Sequence, residues 1–276
     1  SKFIIFLYKE AVSAIIIEND FVVFYIGRTD EASSITEEAG INIFSVQSAM
    51  IDCENKRKWR ITYMWAIKTT GLTKRYKNLT AVDELSLEIR QGELFALLGV
   101  NGAGKTTAVK MLSCLTKPSE GDAEVGGYSI RKNPEQVKRL IGVSPQETAV
   151  APNLSVEENL ELICGIHGFS KEKTRERISE LNRQFGLDAV MGRKAGKLSG
   201  GWQRRVSIAM ALIGEPKILF LDEPTVGLDV IARSELWDII RSLKGNVTVI
   251  LTTHYMEEAE NICDKIVLDG VCNPQI

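Results

Sequence analysis

The fold of this chain is decided by Gly99-Val100-Asn101-Gly102-Ala103-Gly104-Lys105-Thr106-Thr107, which has the form G-x-x-x-x-G-K-[ST] of a phosphate-binding loop. The apolar run before it, Leu94–Leu98, is typical of a buried strand, and residues 107–112 can continue as a helix. The glycines leave backbone N–H groups bare for phosphate oxygens, and the helix N-terminus adds partial positive charge. Lys105 can place its ammonium on the β- and γ-phosphates, and Thr106 can offer its hydroxyl to Mg²⁺. An ordinary glycine-rich turn is the alternative, but the flanking strand and helix favour a nucleotide-binding loop.

A second buried strand ends in two acidic residues. Residues 218–221 are continuously apolar, as in a parallel strand covered on both faces, and Asp222 and Glu223 follow at its carboxyl end. Asp222 can hold Mg²⁺ through the hydration shell of the ion, while Glu223 can orient a water molecule for attack on the γ-phosphate. Taken alone, these acids could equally cap the next turn. Together with the phosphate-binding loop, they predict a hydrolytic site.

A third motif, Leu198-Ser199-Gly200-Gly201-Trp202-Gln203, precedes an amphipathic run over residues 206–212. Ser199 could cap the helix with its side chain, or the bare helix N-terminus could receive an anion. A chain with two phosphate-binding devices suggests that the second device serves another copy.

These motifs resemble the ATP-binding-cassette (ABC) family of ATPases, from about Trp65 to about Asp269. The signature motif of that family is L-S-G-G-Q, in which Trp202 here replaces the glutamine and Gln203 follows. The resemblance implies that Gln146, in the Q-loop match Val143-Ser144-Pro145-Gln146, reaches Mg²⁺ and the attacking water. It also implies that His254 contacts the γ-phosphate as the switch histidine.

The resemblance adds two further candidates. Asp229 closes the D-loop match Thr225-Val226-Gly227-Leu228-Asp229, and Tyr76 lies where the family places an aromatic that stacks on adenine. Nucleotide binding is therefore expected at Tyr76, Gly99, Val100, Asn101, Gly102, Ala103, Gly104, Lys105, Thr106, Thr107, Leu198, Ser199, Gly200, Gly201, Gln203 and Asp229. Catalysis is expected to involve Lys105, Gln146, Glu223 and His254, and Mg²⁺ binding to involve Thr106, Gln146 and Asp222.

Several of these residues also have a structural interpretation. Asp229 could simply cap the helix expected over residues 230–243, and Tyr76 could be an ordinary packed tyrosine. His254 could be a core histidine. Its place after an apolar strand favours a functional role, because α/β sheets bind ligands at the carboxyl ends of their strands.

The pattern of elements predicts an α/β fold. A P-loop nucleotide-hydrolase core, with a mostly parallel sheet flanked by helices, is expected to carry an antiparallel β subdomain and an inserted α-helical subdomain at about residues 148–205. Alternating apolar and polar residues predict one half-buried strand over residues 85–90. A capping box at Ser155–Glu158 and an amphipathic run at residues 174–185 predict two helices of the insertion.

The two ends of the chain are less regular. Residues 1–63 are interpreted as an irregular extension and residues 64–276 as the ATP-binding domain, with two strands around a turn expected at residues 14–17 and 21–26. Charged residues interrupt the N-terminal apolar stretch, so neither a membrane-spanning helix of ~20 apolar residues nor a signal peptide is predicted there. Family members usually continue beyond the strand at Lys265–Leu268, so the domain is expected to be C-terminally short. An incomplete fragment with impaired activity is one alternative.

The composition is that of an ordinary globular protein, with 44% hydrophobic residues, 25% charged residues and a formal net charge of −2. This charge predicts no nucleic-acid partner, and five cysteines without a C-x-x-C pair argue against a zinc site.

The resemblance implies a head-to-tail dimer with a second ABC domain, expected to be identical, in which ATP and Mg²⁺ lie between phosphate-binding loop and signature motif. It also implies a transmembrane permease partner at the cytoplasmic face of a bacterial membrane, as in exporters of drugs, lipids or polysaccharides. The alternative class is a soluble ABC ATPase that acts on nucleic acid or on ribosomes. Members that act on DNA carry long coiled coils, and members that act on ribosomes usually carry two cassettes; this sequence shows neither feature.

Overall fold

The computed structural model of this chain describes residues 4–8, 11–15, 25–26 and 65–268. The chain divides into two units, Ser1–Ile61 and Thr62–Ile276. In the first unit, strands β1 (Ile4–Tyr8), β2 (Ala11–Ile15) and β3 (Tyr25–Ile26) form an antiparallel sheet in that order. Strands β2 and β3 flank the turn predicted at residues 18–20, which lies outside the described residues. The predicted boundary at 63/64 falls on residues that are not described, and so do residues 269–276, where the domain is expected to be C-terminally short.

The second unit contains ten further strands, seven α-helices and one short 3₁₀ helix within residues 65–268. In chain order they are β4 (Trp65–Tyr76), β5 (Leu79–Leu85), β6 (Glu88–Arg90), β7 (Leu94–Leu98), α1 (Lys105–Leu112), β8 (Glu120–Val125), β9 (Tyr128–Ser129), α2 (Pro134–Leu140), β10 (Ile141–Ser144), α3 (Val156–Ile166), α4 (Lys171–Phe185), the 3₁₀ helix (Ala195–Lys197), α5 (Gly200–Leu212), β11 (Ile218–Asp222), α6 (Val230–Ser242), β12 (Thr248–Thr253), α7 (Met256–Ile262) and β13 (Lys265–Leu268).

The central sheet is parallel and has the strand order β10-β11-β12-β7-β13. Alternate residues of β7 belong to different core clusters, as expected of a strand buried on both faces. Leu94 and Ala96 belong to the cluster that contains residues of α3 to α7, while Phe95 and Leu97 belong to the cluster with α1, α2 and the antiparallel strands. The predicted α/β fold class is thereby confirmed.

The antiparallel strands have the order β5-β4-β8-β9, with β6 also paired to β4. The prediction of one continuous strand over residues 85–90 is wrong, because β5 ends at Leu85 and β6 begins at Glu88. The buried hydroxyl of Thr69 fills the break: it donates to the Leu85 carbonyl at 2.8 Å and accepts from the Leu87 N–H at 2.7 Å. A side chain from another strand thus satisfies the backbone groups that a regular ladder would pair.

Helices α3 and α4 lie within the range expected for the inserted helical subdomain. The predicted capping box is present, with the Glu158 N–H donating to Ser155 Oγ and the Ser155 N–H donating to the Glu158 carboxylate. These hydrogen bonds lower the pKa of the Glu158 carboxyl. Helix α4 starts at Lys171, one turn earlier than predicted, because Ser170 caps it by accepting from the Lys173 N–H at 3.2 Å. Gly186 ends it in the left-handed conformation, as predicted.

None of the helices in the described part of the chain combines the length and apolar composition that a membrane span requires.

Candidate nucleotide-binding and hydrolysis site

The phosphate-binding loop runs from the end of β7 to the start of α1, as the sequence predicted. Gly102 and Gly104 have φ angles of +88° and +91°, a conformation that side chains rarely allow. The Gly99 N–H donates to the Thr253 carbonyl at 3.3 Å, which ties the start of the loop to the carboxyl end of β12. The loop therefore lies at the edge of the sheet where α/β proteins bind ligands.

Lys105 lies inside this loop and is only 9% exposed. Its ammonium donates to the carbonyls of Gly99 at 2.7 Å and Val100 at 3.1 Å, and lies 3.3 Å from Glu223 Oε1. The first N–H groups of α1 lack partners within the helix and add a positive electrostatic field at the same end. The loop thus combines a buried cation with a helix N-terminus, which suits a polyphosphate anion.

Two of the predicted Mg²⁺ ligands are brought together. Asp222 ends β11 as a buried residue, and its Oδ1 accepts hydrogen bonds from Thr106 Oγ1 at 3.2 Å and Thr252 Oγ1 at 2.6 Å. A hydroxyl and a carboxylate are hard oxygen donors, and Mg²⁺ is usually bound by one or two carboxylates together with substrate phosphates. The residues present therefore fit this ion.

Glu223 and His254 form a pair at the ends of β11 and β12. Glu223 Oε2 lies 2.9 Å from His254 Nδ1, and the Glu223 N–H donates to Thr252 Oγ1 at 2.9 Å. The carboxylate is buried, whereas the His254 side chain is 30% exposed, so the alternative of a core histidine does not hold. Glu223 has a φ of +47°, a left-handed conformation that costs a non-glycine residue roughly 1–2 kcal/mol.

One oxygen of this carboxylate accepts no hydrogen bond from the part of the chain that the structure describes. Glu223 Oε1 is fully buried and forms no hydrogen bond with any group of the described residues, although it lies within ion-pair distance of Lys105. A buried acceptor without a hydrogen-bond donor is costly in a folded protein. Glu223 Oε1 therefore keeps the capacity to accept a hydrogen bond from a water molecule.

The signature motif begins α5, with Ser199 as the N-cap residue. Of the two alternatives for Ser199, its N-cap position is present, with an extended backbone, but its hydroxyl makes no capping hydrogen bond. Gly201 allows α5 to approach α6 closely, whereas a side chain at Gly200 would make only an ordinary contact. A Cβ atom on Gly201 would lie 2.9 Å from Ala232 Cβ, and one on Gly200 would lie 3.7 Å from the Leu228 side chain. The signature motif therefore packs on the D-loop and α6 of its own chain.

Leu198 and Gln203 have roles within the fold. The Leu198 side chain is buried in the core, and the Gln203 side-chain amide donates to the carbonyls of Ala195 at 3.1 Å and Leu198 at 3.2 Å. These bonds fix the turn before α5. Trp202, which replaces the family glutamine, lies beneath the Arg205 guanidinium at 4.7 Å from its ring. Nucleotide contacts of Leu198 and Gln203 remain predictions.

Three predicted residues remain, namely Tyr76, Gln146 and Asp229. Tyr76 is 45% exposed at the end of β4, with Lys74 Nζ 5.0 Å from its ring, and the Gln146 side chain is exposed. Asp229 caps α6, as one interpretation predicted, because its Oδ1 accepts from the Ala232 N–H at 2.9 Å. Roles for Tyr76, Gln146 and Asp229 in binding ATP or Mg²⁺ therefore remain predictions.

Sequence reasoning missed Arg204, a buried arginine that connects α5 to the Q-loop. Its guanidinium donates to the Pro145 carbonyl at 2.6 Å and also to the Gln146 carbonyl. One turn further along α5, the hydroxyl of Ser207 lies 3.0 Å from that of Ser144. Burial lowers the pKa of the Arg204 guanidinium, and the nearby carboxylate of Asp222 opposes this shift. The sequence signal that could have identified Arg204 is its position as a charged residue on the buried, otherwise apolar face of α5.

We expect Arg204→Lys to destabilise the protein, because a lysine ammonium cannot reproduce the planar fork that binds two carbonyls. The expected loss is about 1–3 kcal/mol in the free energy of unfolding, measured by urea denaturation. Arg183→Lys, at an exposed position of α4, is the matched control and should leave the unfolding midpoint unchanged. Equal midpoints for both variants would contradict a structural role for the Arg204 fork.

Comparison with known proteins agrees with this geometry. The family profile described as ABC transporter matches residues 82–226. A doxorubicin resistance ATP-binding protein, DrrA, of Mycobacterium tuberculosis is 43% identical over 206 residues, which are 74% of this chain and 62% of that protein. The daunorubicin/doxorubicin resistance ATP-binding protein DrrA of Streptomyces peucetius is 42% identical over 202 residues, with 73% of this chain and 61% of that protein covered. The chain thus spans about three fifths of the length of these curated relatives.

Solved structures show the same fold. A dimeric ATP-binding cassette in a post-hydrolysis state, bound to ADP and Pi, superposes with a TM-score of 0.67 at 29% identity and covers 75% of this chain and 96% of its own. An ATP-binding subunit of an ABC transporter has a TM-score of 0.65 at 29% identity, with 74% and 85% coverage. The phosphate-binding loop, the acidic end of β11 and the histidine after β12 lie at one edge of this shared fold. The chain therefore belongs to the ABC transporter family.

Proposed function

We propose that this chain is the ATP-binding and ATP-hydrolysing subunit of a membrane exporter. The observation that carries the proposal is the convergence of Lys105, Asp222, Glu223 and His254 at the carboxyl ends of three neighbouring parallel strands. These side chains supply a cation for phosphate, an acid for a metal ion and a buried carboxylate for a water molecule.

The chemistry follows from these positions. The loop amides and Lys105 bind the β- and γ-phosphates and stabilise the negative charge that develops during transfer to water. Glu223 accepts a hydrogen bond from the attacking water and orients it toward the γ-phosphate, while His254 holds the carboxylate in place from the exposed side. Thr106 and Asp222 would hold Mg²⁺, with Gln146 as the proposed third ligand, and the ion would neutralise phosphate charge.

The proposed working unit is a head-to-tail dimer, with an identical copy as the expected partner. In that dimer, the phosphate-binding loop of one chain and residues 199–201 of the other contact the same ATP. The bare N-terminus of α5 supports the proposal, because its serine hydroxyl is not used in capping. The similar cassette bound to ADP and Pi is itself dimeric.

The proposed use of ATP is export through a separate transmembrane permease at the cytoplasmic face of the membrane. Support comes from relatives whose names state drug resistance, and from the phospholipid-transporting ATPase ABCA3 of Homo sapiens, which is 38% identical over 192 residues that cover 70% of this chain and 11% of that protein. Drugs or lipids are therefore the proposed classes of cargo. The permease is expected to dock near the Q-loop and the start of α3.

The first experiment is light scattering of the Glu223→Gln variant with and without Mg-ATP. We expect the mass to double with ATP and to stay monomeric with ADP, because only the triphosphate joins both half-sites while hydrolysis is blocked. A chain that binds ATP yet remains monomeric at all concentrations would contradict the shared site. The same measurement on residues 64–276 tests whether the N-terminal residues prevent dimer formation. Dimer formation only after their removal would indicate obstruction, and a persistent monomer would indicate a defect of the site itself.

A further inference from the structure

The side chain of Glu258 is a buried carboxylate that the proposed chemistry does not use. It lies in the first turn of α7, four residues after His254, and the residue is only 9% exposed. Its neighbours Glu257 and Glu260, on the same helix, are exposed. Because burying a carboxylate is expensive, its partners must compensate the charge.

The partners of Glu258 come from both sides of the catalytic pair. Glu258 Oε2 accepts a hydrogen bond from Thr225 Oγ1 at 2.8 Å, and Thr225 lies two residues after Glu223. The same oxygen lies 3.4 Å from Thr253 Oγ1, directly before His254. One oxygen atom thus binds the loop that follows Glu223 and the strand that leads to His254.

Arg233 completes the cluster from α6. Its guanidinium lies 3.3 Å from Glu258 Oε1 and 5.1 Å from the Tyr255 ring centroid. The Tyr255 ring lies in turn 4.0 Å from the His254 imidazole, centroid to centroid. Arg233 also donates to the Leu228 carbonyl at 3.4 Å. Arg233 therefore links Glu258 to the D-loop through the Leu228 carbonyl. It also links Glu258 to His254 through the ring of Tyr255.

The position of Glu223 needs such support. Its left-handed backbone is held by the Thr252 hydroxyl on one side and by the turn that follows on the other, where the Val226 N–H donates to the Glu223 carbonyl at 3.3 Å. Strained conformations persist only where the surroundings determine them. Anchoring Thr225 to a buried carboxylate fixes that turn.

We propose that Glu258 is a positioning residue, which holds the D-loop and the switch histidine in register so that Glu223 and His254 stay paired. This inference rests on the proposed hydrolysis at Glu223. In the proposed chemistry, Glu258 does not touch the reacting atoms. Its Oε2 atom contacts Thr225 and Thr253, and its Oε1 atom contacts Arg233, which lies over the Tyr255 ring. Glu258 therefore acts on the catalytic pair through these neighbours.

The test compares Glu258→Ala, Glu258→Gln and the matched exposed control Glu257→Gln. We expect kcat for ATP hydrolysis to fall about 10- to 100-fold in Glu258→Ala, while KM stays within about twofold, because misplacement affects the transition state more than binding. Glu258→Gln keeps an acceptor oxygen for Thr225 and should recover part of the rate. Thr225→Val, a narrower change, should also lower kcat.

A second readout does not depend on activity. The chain holds two histidines, so two-dimensional ¹⁵N–¹H spectra of the imidazoles can be assigned with a His254→Ala variant. We expect Glu258→Ala to move or broaden the His254 signals and leave those of His167 in place, and Glu257→Gln to change neither. ATP hydrolysis by the wild-type protein is measured separately. If the wild-type protein does not hydrolyse ATP, the proposed function is wrong, but the imidazole spectra still show whether Glu258 positions His254.

Two results would overturn the inference. One is a Glu258→Ala variant with wild-type kcat and unchanged His254 signals. The other is a Glu258→Ala variant in which the imidazole signals of both histidines shift and the unfolding midpoint falls, while kcat per folded molecule is retained. That result would mean that Glu258 contributes only to the general stability of the fold.

Discussion

Replacing Glu223 with glutamine is expected to abolish ATP turnover while ATP binding remains. The Glu223 side chain is only 7% exposed and lies between Lys105 and His254, and glutamine has nearly the same shape. The substitution removes the negative charge and exchanges one acceptor oxygen for an amide donor, so the side chain can no longer accept hydrogen bonds on both atoms, from His254 and from the attacking water. Loss of a positioned general base typically slows a reaction 10²- to 10⁴-fold, and we expect a decrease of about this size.

Two measurements on the same sample test this expectation. Phosphate release with Mg-ATP reports turnover, and equilibrium titration with a fluorescent ATP analogue reports binding. Glu176→Gln, at an exposed position of α4, serves as the control and should behave as the wild-type protein does. Full hydrolysis by Glu223→Gln would assign the orientation of water to another group. Loss of ATP binding would instead indicate that the uncompensated Lys105 distorts the loop.

The parts of this site that the sequence predicted are those encoded by short segments. Gly102 and Gly104 adopt the left-handed conformations that the loop pattern requires, and the apolar runs before the loop and before Asp222 form buried parallel strands. Parallel strands place their carboxyl ends at one edge of a sheet. Recognising the two strands was therefore enough to predict that Thr106 and Asp222 lie close together, although they are far apart in sequence.

What the sequence did not predict depends on partners that are distant along the chain. Thr69 of β4 forms hydrogen bonds at the break between β5 and β6 from 16 or more residues away, which no local alternation of apolar residues reveals. Arg204 reaches the Q-loop carbonyls across nearly 60 residues. Glu258 differs from Glu257 only in which face of α7 it occupies, and its burial depends on Thr225 and Arg233.

Substitution of Lys105 by alanine is expected to have the other large effect. In the structure, its ammonium binds two loop carbonyls and lies beside Glu223, inside the loop that the proposal assigns to phosphate. A hydrogen bond between a cation and a phosphate oxygen is worth about 1.5–3 kcal/mol, so we expect the Kd for Mg-ATP to rise about 10- to 100-fold. Isothermal titration calorimetry measures this change directly, with Lys110→Ala on the exposed side of α1 as the control.

The same substitution has a second consequence, which must be separated from the first. Removing one member of a buried ion pair leaves an uncompensated charge and typically destabilises a protein by ~3–5 kcal/mol, so Lys105→Ala is expected to unfold more readily. The double variant Lys105→Ala/Glu223→Gln removes both charges and should regain much of that stability, yet it should still bind Mg-ATP weakly. Unchanged affinity for Mg-ATP in the folded single variant would contradict the assignment of Lys105 to phosphate. Recovery of affinity together with stability in the double variant would show that Lys105 acts only by compensating Glu223.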